Sequence, residues 1–173
     1  TTEKEVSPID KLLGKMNWSP PFLRMTLFEF ECSRLLNAEW VERFATLDSE
    51  FEICGWHSVS SDEFEKLVTE NWIPSELHPK RHLPLGLDKR KSIPNLCLAV
   101  RHKGNLVGWH ITHELSNLTA RFSVTYVKPS LQQNLILLML WYHAATQANT
   151  IGYKKIKMGV SVRHRQMMAF CET

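Results

Sequence analysis

From Leu96 to Cys171 the spacing of apolar residues switches between two periods, and each switch marks an element. Leu96 to Val100 reads as a strand, Gly104 supplies a tight turn over His102 to Asn105, and Leu106 to Leu115 reads as the returning strand. After a turn at Ser116 and Asn117, Thr119 to Val127 alternates, with Ala120, Phe122, Val124 and Tyr126 on one side. This predicts three consecutive antiparallel strands. Pro129 ends the meander, and the next twenty residues carry Leu131, Leu135, Leu138, Tyr142 and Ala145 at the spacing of one helical face. Ile136, Leu137, Met139, Leu140 and Trp141 widen that face, so the helix is expected to be buried on more than one side against a sheet. Gly152 closes it, Lys155 to Val162 is another strand, and a further helix covers Arg163 to Cys171.

The first half is less regular. Ser7 to Trp18 fits a short helix, with Pro8 at its first position and Ile9, Leu12, Leu13 and Met16 on one face. Arg24 to Glu31 alternates as a strand whose Thr26, Phe28 and Phe30 side is buried, and Leu35 to Leu47 returns to a helical spacing. Phe51 to Trp56 is a short strand. It leads into Ser60 to Glu63, where a hydroxyl three residues ahead of a carboxylate marks a helix start, followed by a stripe of Phe64, Leu67 and Val68. Trp72 to Pro94 holds four prolines among Lys80, Arg81, Lys89, Arg90 and Lys91 and reads as a long loop.

Composition adds limits. At 173 residues with 43% hydrophobic content, the chain can form one compact unit, and a net charge of +3 with 23% charged residues does not argue for nucleic acid. The longest apolar run, Leu135 to Tyr142, is far short of a membrane span, and no signal-peptide pattern opens the sequence, so the expected location is the cytoplasm. Cys32, Cys54, Cys97 and Cys171 are widely spaced, the pattern of reduced thiols. His78 and His82 lie four apart in a proline-bounded loop with no carboxylate or cysteine close in sequence, so no metal is expected.

Three antiparallel strands, a buried helix, a strand and a second helix resemble the core of the GNAT superfamily of acyl-CoA-dependent N-acyltransferases. Val127-Lys128-Pro129 followed by Gln132-Gln133-Asn134 is similar to that family's V-x-P and Q/R-x-x-G-x-G/A segment. Val160 to Cys171 resembles its closing V-x-x-x-N-x-x-A-x-x-F-Y, and Phe51 to Leu67 its first strand and helix. The resemblance implies an α+β fold, layered α/β/α, with a mixed, mostly antiparallel sheet and a central buried helix. It also implies acetyl-CoA or a longer acyl-CoA as co-substrate, its pyrophosphate received by backbone amides at the helix start. Val127 would hold the thioester oxygen, with Gln132, Gln133, Asn134, Leu135, Leu137 and His164 around the cofactor. With Gln132 as the first motif residue, the glycine positions are held by Leu135 and Leu137; with Gln133, by Ile136 and Leu138. His164 stands where the family has Asn, Met167 where it has Ala, and Cys171 where it has the Tyr that often protonates the thiolate.

Acyl transfer to an amine needs a base, and Glu114 with neighbouring His113 is the expected source, while His110, on the opposite face, fits a core histidine. Cys171 is the candidate acid, or a small buried residue. The family fold has two more strands than residues 48–173 supply, and Ser7 to Glu31 resembles that missing tail. Residues 1–47 would therefore either finish a preceding GNAT-like domain or exchange a strand into this one. The acceptor would be a small-molecule or peptide amine, and the partner a second GNAT-like domain or a second copy of the chain. The alternative function is an inactive GNAT-like domain that docks a protein partner or completes a sister domain.

Overall fold

The computed structural model describes residues 8–16, 23–38, 49–74 and 92–172. Residues 39–47 of the helix expected over Leu35 to Leu47, residues 75–91 of the loop expected over Trp72 to Pro94, and His78 and His82 lie outside these residues. The described helix at this point ends at Leu36. The chain divides into two units, a larger one of Leu27–Gly159 and a smaller one of Thr1–Thr26 with Val160–Thr173. In the smaller unit are the helix α1 (Pro8–Lys15), the start of a strand in which the Arg24 carbonyl accepts the Val162 amide, and a C-terminal helix at Arg165–Glu172.

In chain order the strands are β1 (Met25–Glu31), β2 (Phe51–Gly55), β3 (Leu98–His102), β4 (Asn105–Ser116), β5 (Thr119–Val127) and β6 (Lys155–Ser161). After α1, the helices are α2 (Cys32–Leu36), α3 (Ser61–Val68), α4 (Ile136–Thr150) and α5 (Arg165–Glu172). The sheet order is β1-β6-β5-β4-β3-β2. From β2 to β5 every pairing is antiparallel, and β5 pairs with β6 in parallel, as the crossover through α4 requires. The sheet is therefore mixed and mostly antiparallel.

β1 lies beside β6 although the two are far apart in sequence. The Cys32 amide donates to the Lys154 carbonyl, and Glu29 bridges Lys155 at 2.8 Å and Lys157 at 2.9 Å. Hydrogen bonds from Lys155 and Lys157 hold the Glu29 carboxyl down at about 2. Thr26, Phe28 and Phe30 are half-buried and the alternate residues exposed, the pattern expected from the sequence.

Local signals account for most boundaries. The Ser60 hydroxyl accepts the Glu63 amide while the Glu63 carboxylate accepts the Ser60 amide, a complete capping box that starts α3. Lys103 and Gly104 both take positive φ, 52° and 75°, the tight turn that a two-residue hairpin needs. The twenty-residue helix expected after Pro129 is divided. A 3-10 turn covers Pro129–Asn134, Leu135 is left-handed at φ 58°, and α4 begins only at Ile136. The apolar spacing runs on through Leu131 because a 3-10 turn can also place such residues inward, so periodicity does not show the break.

β4 separates two layers. Trp109 and Ile111 point to one side, with Leu67 of α3, Cys97 and Val124. His110 and Thr112 point to the other, the side of α4, whose Leu140, Trp141, Ala144 and Ala145 are buried. α4 packs against α2, β3, β4 and β5, as a helix apolar on most sides should. Cys32, Cys54, Cys97 and Cys171 are all free thiols.

Candidate acyl-CoA site

The β5–β6 register runs from Thr119↔Lys155 to Phe122↔Met158 and ends there, whereas β5 continues through Ser123 to Val127. A bulge explains the ending. On the other edge of β5, the pairing with β4 jumps from Ile111↔Val124 to Thr112↔Phe122, so Ser123 is an extra residue facing no partner. An extra residue bends its strand and increases its twist, which takes Ser123–Val127 out of the β5–β6 register and leaves them an open edge of β5 among the described pairings.

Val127 is presented on that open edge. The Lys128 amide donates to the Val107 carbonyl at 2.8 Å, which makes Gly108↔Val127 a non-hydrogen-bonded pair of the β4–β5 ladder. The Val127 N–H and C=O therefore point away from β4, toward the opened side. The Gln132 side-chain amide donates to the Val127 carbonyl at 2.9 Å and ties the turn to the strand end. Opposite Val127, Gly108 lets the strands meet closely, since a Cβ there would lie 2.7 Å from the Tyr126 carbonyl.

The left-handed Leu135 fits the motif register that starts at Gln132. It is the third residue after Gln132, the first glycine position of the motif, and it adopts the conformation for which glycine is the ordinary choice. Its side chain is 38% exposed, so it leans outward. α4 begins next to it with no side-chain cap, and the first helical bond runs from the Met139 amide to the Leu135 carbonyl. The Ile136, Leu137 and Leu138 amides are the first-turn donors of a fifteen-residue helix, an arrangement that favours an anion. Leu137 is half-buried, and the side chains of Gln133 and Asn134 lie outside the described set. The backbone thus fits a pyrophosphate, with leucine where the motif has glycine.

Leucine in the left-handed region costs roughly 1–2 kcal/mol. Glycine there loses more unfolded-state freedom, roughly 0.5–1 kcal/mol. Leu135→Gly is therefore expected to leave stability within about 1 kcal/mol. A β-branched residue tolerates this backbone worse, and Leu135→Val should be the less stable variant by about 1–2 kcal/mol in urea unfolding. Equal losses for the two would mean that the left-handed turn is not set at this residue.

Of the two neighbours expected to supply the base, His113 lies beside the bulge. His113 reaches Ser123, the bulged residue, with Nδ1 2.7 Å from its hydroxyl. The Ser123 hydroxyl in turn lies 3.4 Å from the Arg121 carbonyl. The tautomer that serves both contacts donates from His113 Nδ1, and the Nε2 atom is buried. Glu114 is elsewhere. It is exposed near the far end of β4, paired with Ala120, beside the Tyr153 hydroxyl, which burial and then the Glu114 charge hold above its ordinary pKa. Seven residues of β5 separate Ala120 from Val127, roughly 23 Å of strand.

His164 and Cys171 belong to the smaller unit. His164 is exposed, and its carbonyl accepts the first helical bond of α5 from Met168. Cys171 is buried, and burial followed by the neighbouring Glu172 charge raises its thiol to about 11. Passing a proton from that thiol to a thiolate of ordinary pKa, about 8.5, is uphill.

His110 is a core histidine, as its place on β4 suggested, and the structure adds its partners. Nδ1 lies 2.7 Å from the Thr125 hydroxyl and Nε2 2.9 Å from the Thr112 hydroxyl. Trp141 Nε1 donates to Thr125 Oγ1 at 2.8 Å, and Thr112 Oγ1 donates to the Leu96 carbonyl at 3.2 Å. Each proton then has one place: Trp141 donates to Thr125, Thr125 to His110 Nδ1, His110 Nε2 to Thr112, and Thr112 to Leu96. Thr125 and Trp141 were not legible as partners, because the chain from β5 to α4 had to fold back first.

No protein-family model matches the chain, and no curated protein matches its sequence. Solved structures do. A GCN5-related N-acetyltransferase from Sphaerobacter thermophilus superposes with a TM-score of 0.59 at 14% identity, over 88% of this chain and 46% of that one. A tandem GNAT protein from the clavulanic acid biosynthesis pathway gives 0.63 at 10% identity, over 94% of this chain and 53% of that one. Naa50 of Arabidopsis thaliana, in complex with the bisubstrate analogue CoA-Ac-MVNAL, gives 0.50 at 11% identity, over 71% and 80%. The fold is that of the GNAT N-acetyltransferases. The chain spans about half the length of the first and second of these structures.

Proposed function

We propose that the chain is an acyl-CoA-dependent N-acyltransferase domain, acting on an amine of a small molecule or a peptide. One observation carries this reading: the bulge at Ser123 and the left-handed turn at Leu135 bring an opened β5 edge and an uncapped helix start together in one unit. When bound, acyl-CoA supplies an activated thioester. Val127 N–H would donate to the thioester oxygen as it gains negative charge, and the Ile136 and Leu137 amides would receive the pyrophosphate. Gln132 holds the Val127 peptide in position. The Glu29 bridges to Lys155 and Lys157 support the strand-exchange reading of residues 1–47, in which β1 completes the sheet.

Release of free CoA in the presence of a panel of amines tests this. Gln132→Ala, which frees the Val127 peptide, should lower turnover by up to about 100-fold, the scale of a misplaced group at the reacting centre. Full activity in Gln132→Ala would remove the Val127 peptide from the proposed site. Absence of turnover with every amine, with acyl-CoA still bound, would favour the docking-domain reading that the leucines at the glycine positions support.

A further inference from the structure

A cavity of about 420 Å³ opens at the end of β4 away from Glu114, between α3, the Lys103-Gly104 turn and the segment from Lys128 to Leu131. It is distinct from the proposed acyl-CoA edge: the Lys128 amide donates to Val107 of β4, whereas the Val127 N–H and C=O point to the other side of β5.

The charges around it do not balance internally. Lys103 is bridged to Glu50 at 3.0 Å, and Glu63 is held by Arg101 at 2.7 Å, whose guanidinium keeps that carboxyl at about 2. Lys66 and Lys128 remain. Lys66 Nζ meets the neutral Asn105 side-chain oxygen at 2.9 Å, and the half-buried Lys128 lies 5.7 Å over the Trp72 ring. Among the described residues neither ammonium has a carboxylate partner. Leu67, Leu106 and Leu131 give the cavity an apolar floor, and the Ser130 hydroxyl stands at its rim. Among the described residues Glu70 is the lining carboxylate without a cation, and it accepts the Trp72 Nε1–H at 3.0 Å.

We propose that this cavity binds a small amphiphilic anion, its carboxylate or phosphate head between Lys66 and Lys128 and its short apolar body on the leucine floor. A half-buried ammonium facing an aromatic ring gains from a desolvated anion what no carboxylate of this chain supplies. The inference does not depend on acyl transfer.

Calorimetric titration with hexyl phosphate and hexanoate tests it, with hexanol as the uncharged control and inorganic phosphate as the head alone. Binding of one or both anions should exceed that of hexanol and of inorganic phosphate by at least tenfold. It should weaken at least tenfold in Lys66→Gln/Lys128→Gln and persist under saturating CoA. Hexanol binding as well as the anions, unchanged affinity in the double variant, or displacement by CoA would each overturn the proposal. Should loss of Lys128 disturb the packing on Trp72, Glu70→Gln is the second variant: a several-fold gain in affinity is expected, and no gain would count against the site. Anion binding without CoA binding would leave this inference standing and remove the proposed acyltransferase.

Discussion

Replacing Thr125 by valine should lower stability by about 3 kcal/mol, a large loss for a change that keeps the shape of the side chain. The Thr125 hydroxyl accepts from Trp141 and donates to His110, so its removal leaves an indole N–H and an imidazole nitrogen without their partner in the core. Each unsatisfied buried group costs roughly 1–3 kcal/mol. Thr125→Ser keeps the hydroxyl and should lose about 1 kcal/mol, the scale of one buried methyl. Trp141→Phe added to Thr125→Val removes one stranded donor, so the double variant should be more stable than the sum of the two single losses implies. Urea unfolding of the four proteins checks this, and a Thr125→Val loss no larger than that of Thr125→Ser would mean that the chain of hydrogen bonds is not formed.

The second large effect is in pH. Burial holds the His110 imidazole down at about 3, far below its ordinary 6.5. The donor at Thr125 works in the same direction, because Nδ1 must accept while Nε2 donates. Between pH 6.5 and 3 the unfolded chain binds a proton that the folded chain refuses, so stability is complete above 6.5 and declines as the pH falls through that window. The slope approaches about 1.4 kcal/mol per pH unit for one group. Glu63 and Glu29, held at about 2 by Arg101 and by Lys155, add losses in the same direction only as the pH drops below the ordinary carboxylate range. The loss between pH 6 and 5 therefore belongs chiefly to histidine. Nitrogen-15 spectra should show His110 as the Nε2–H tautomer with no titration above pH 5, and a midpoint near 6.5 would contradict the neutral, fully bonded ring.

How much of this the sequence revealed depended on the range of the interaction. Thr119–Val127 is the strand that alternation predicted, although Phe122 lies with His110 on one face and Val124 with Ile111 on the other instead of all on one side. The Ser60 to Glu63 box starts the helix it predicted. The bulge at Ser123 was not visible. A bulge is a mismatch between two strands, and the residues of β5 read alone alternate without a fault. Leu135 was singled out by its place in the motif, but its left-handed backbone contradicts leucine's own preference, and nothing local announces it. Glu114 and His113 looked equivalent in sequence; the pleat turns one toward Tyr153 and the other toward Ser123, and only the partner strand distinguishes them. Among the described residues no helix is long and apolar enough to cross a membrane.

The central claim is that the open edge at Val127 and the start of α4 receive acyl-CoA. Amide spectra recorded while CoA and then acetyl-CoA are titrated into the protein test it most directly. The account predicts saturable shifts at Val127 and at Leu135 to Leu137, with acetyl-CoA moving Val127 further than CoA does. Unmoved amides at both places under millimolar ligand, or shifts confined to other surfaces, would contradict it.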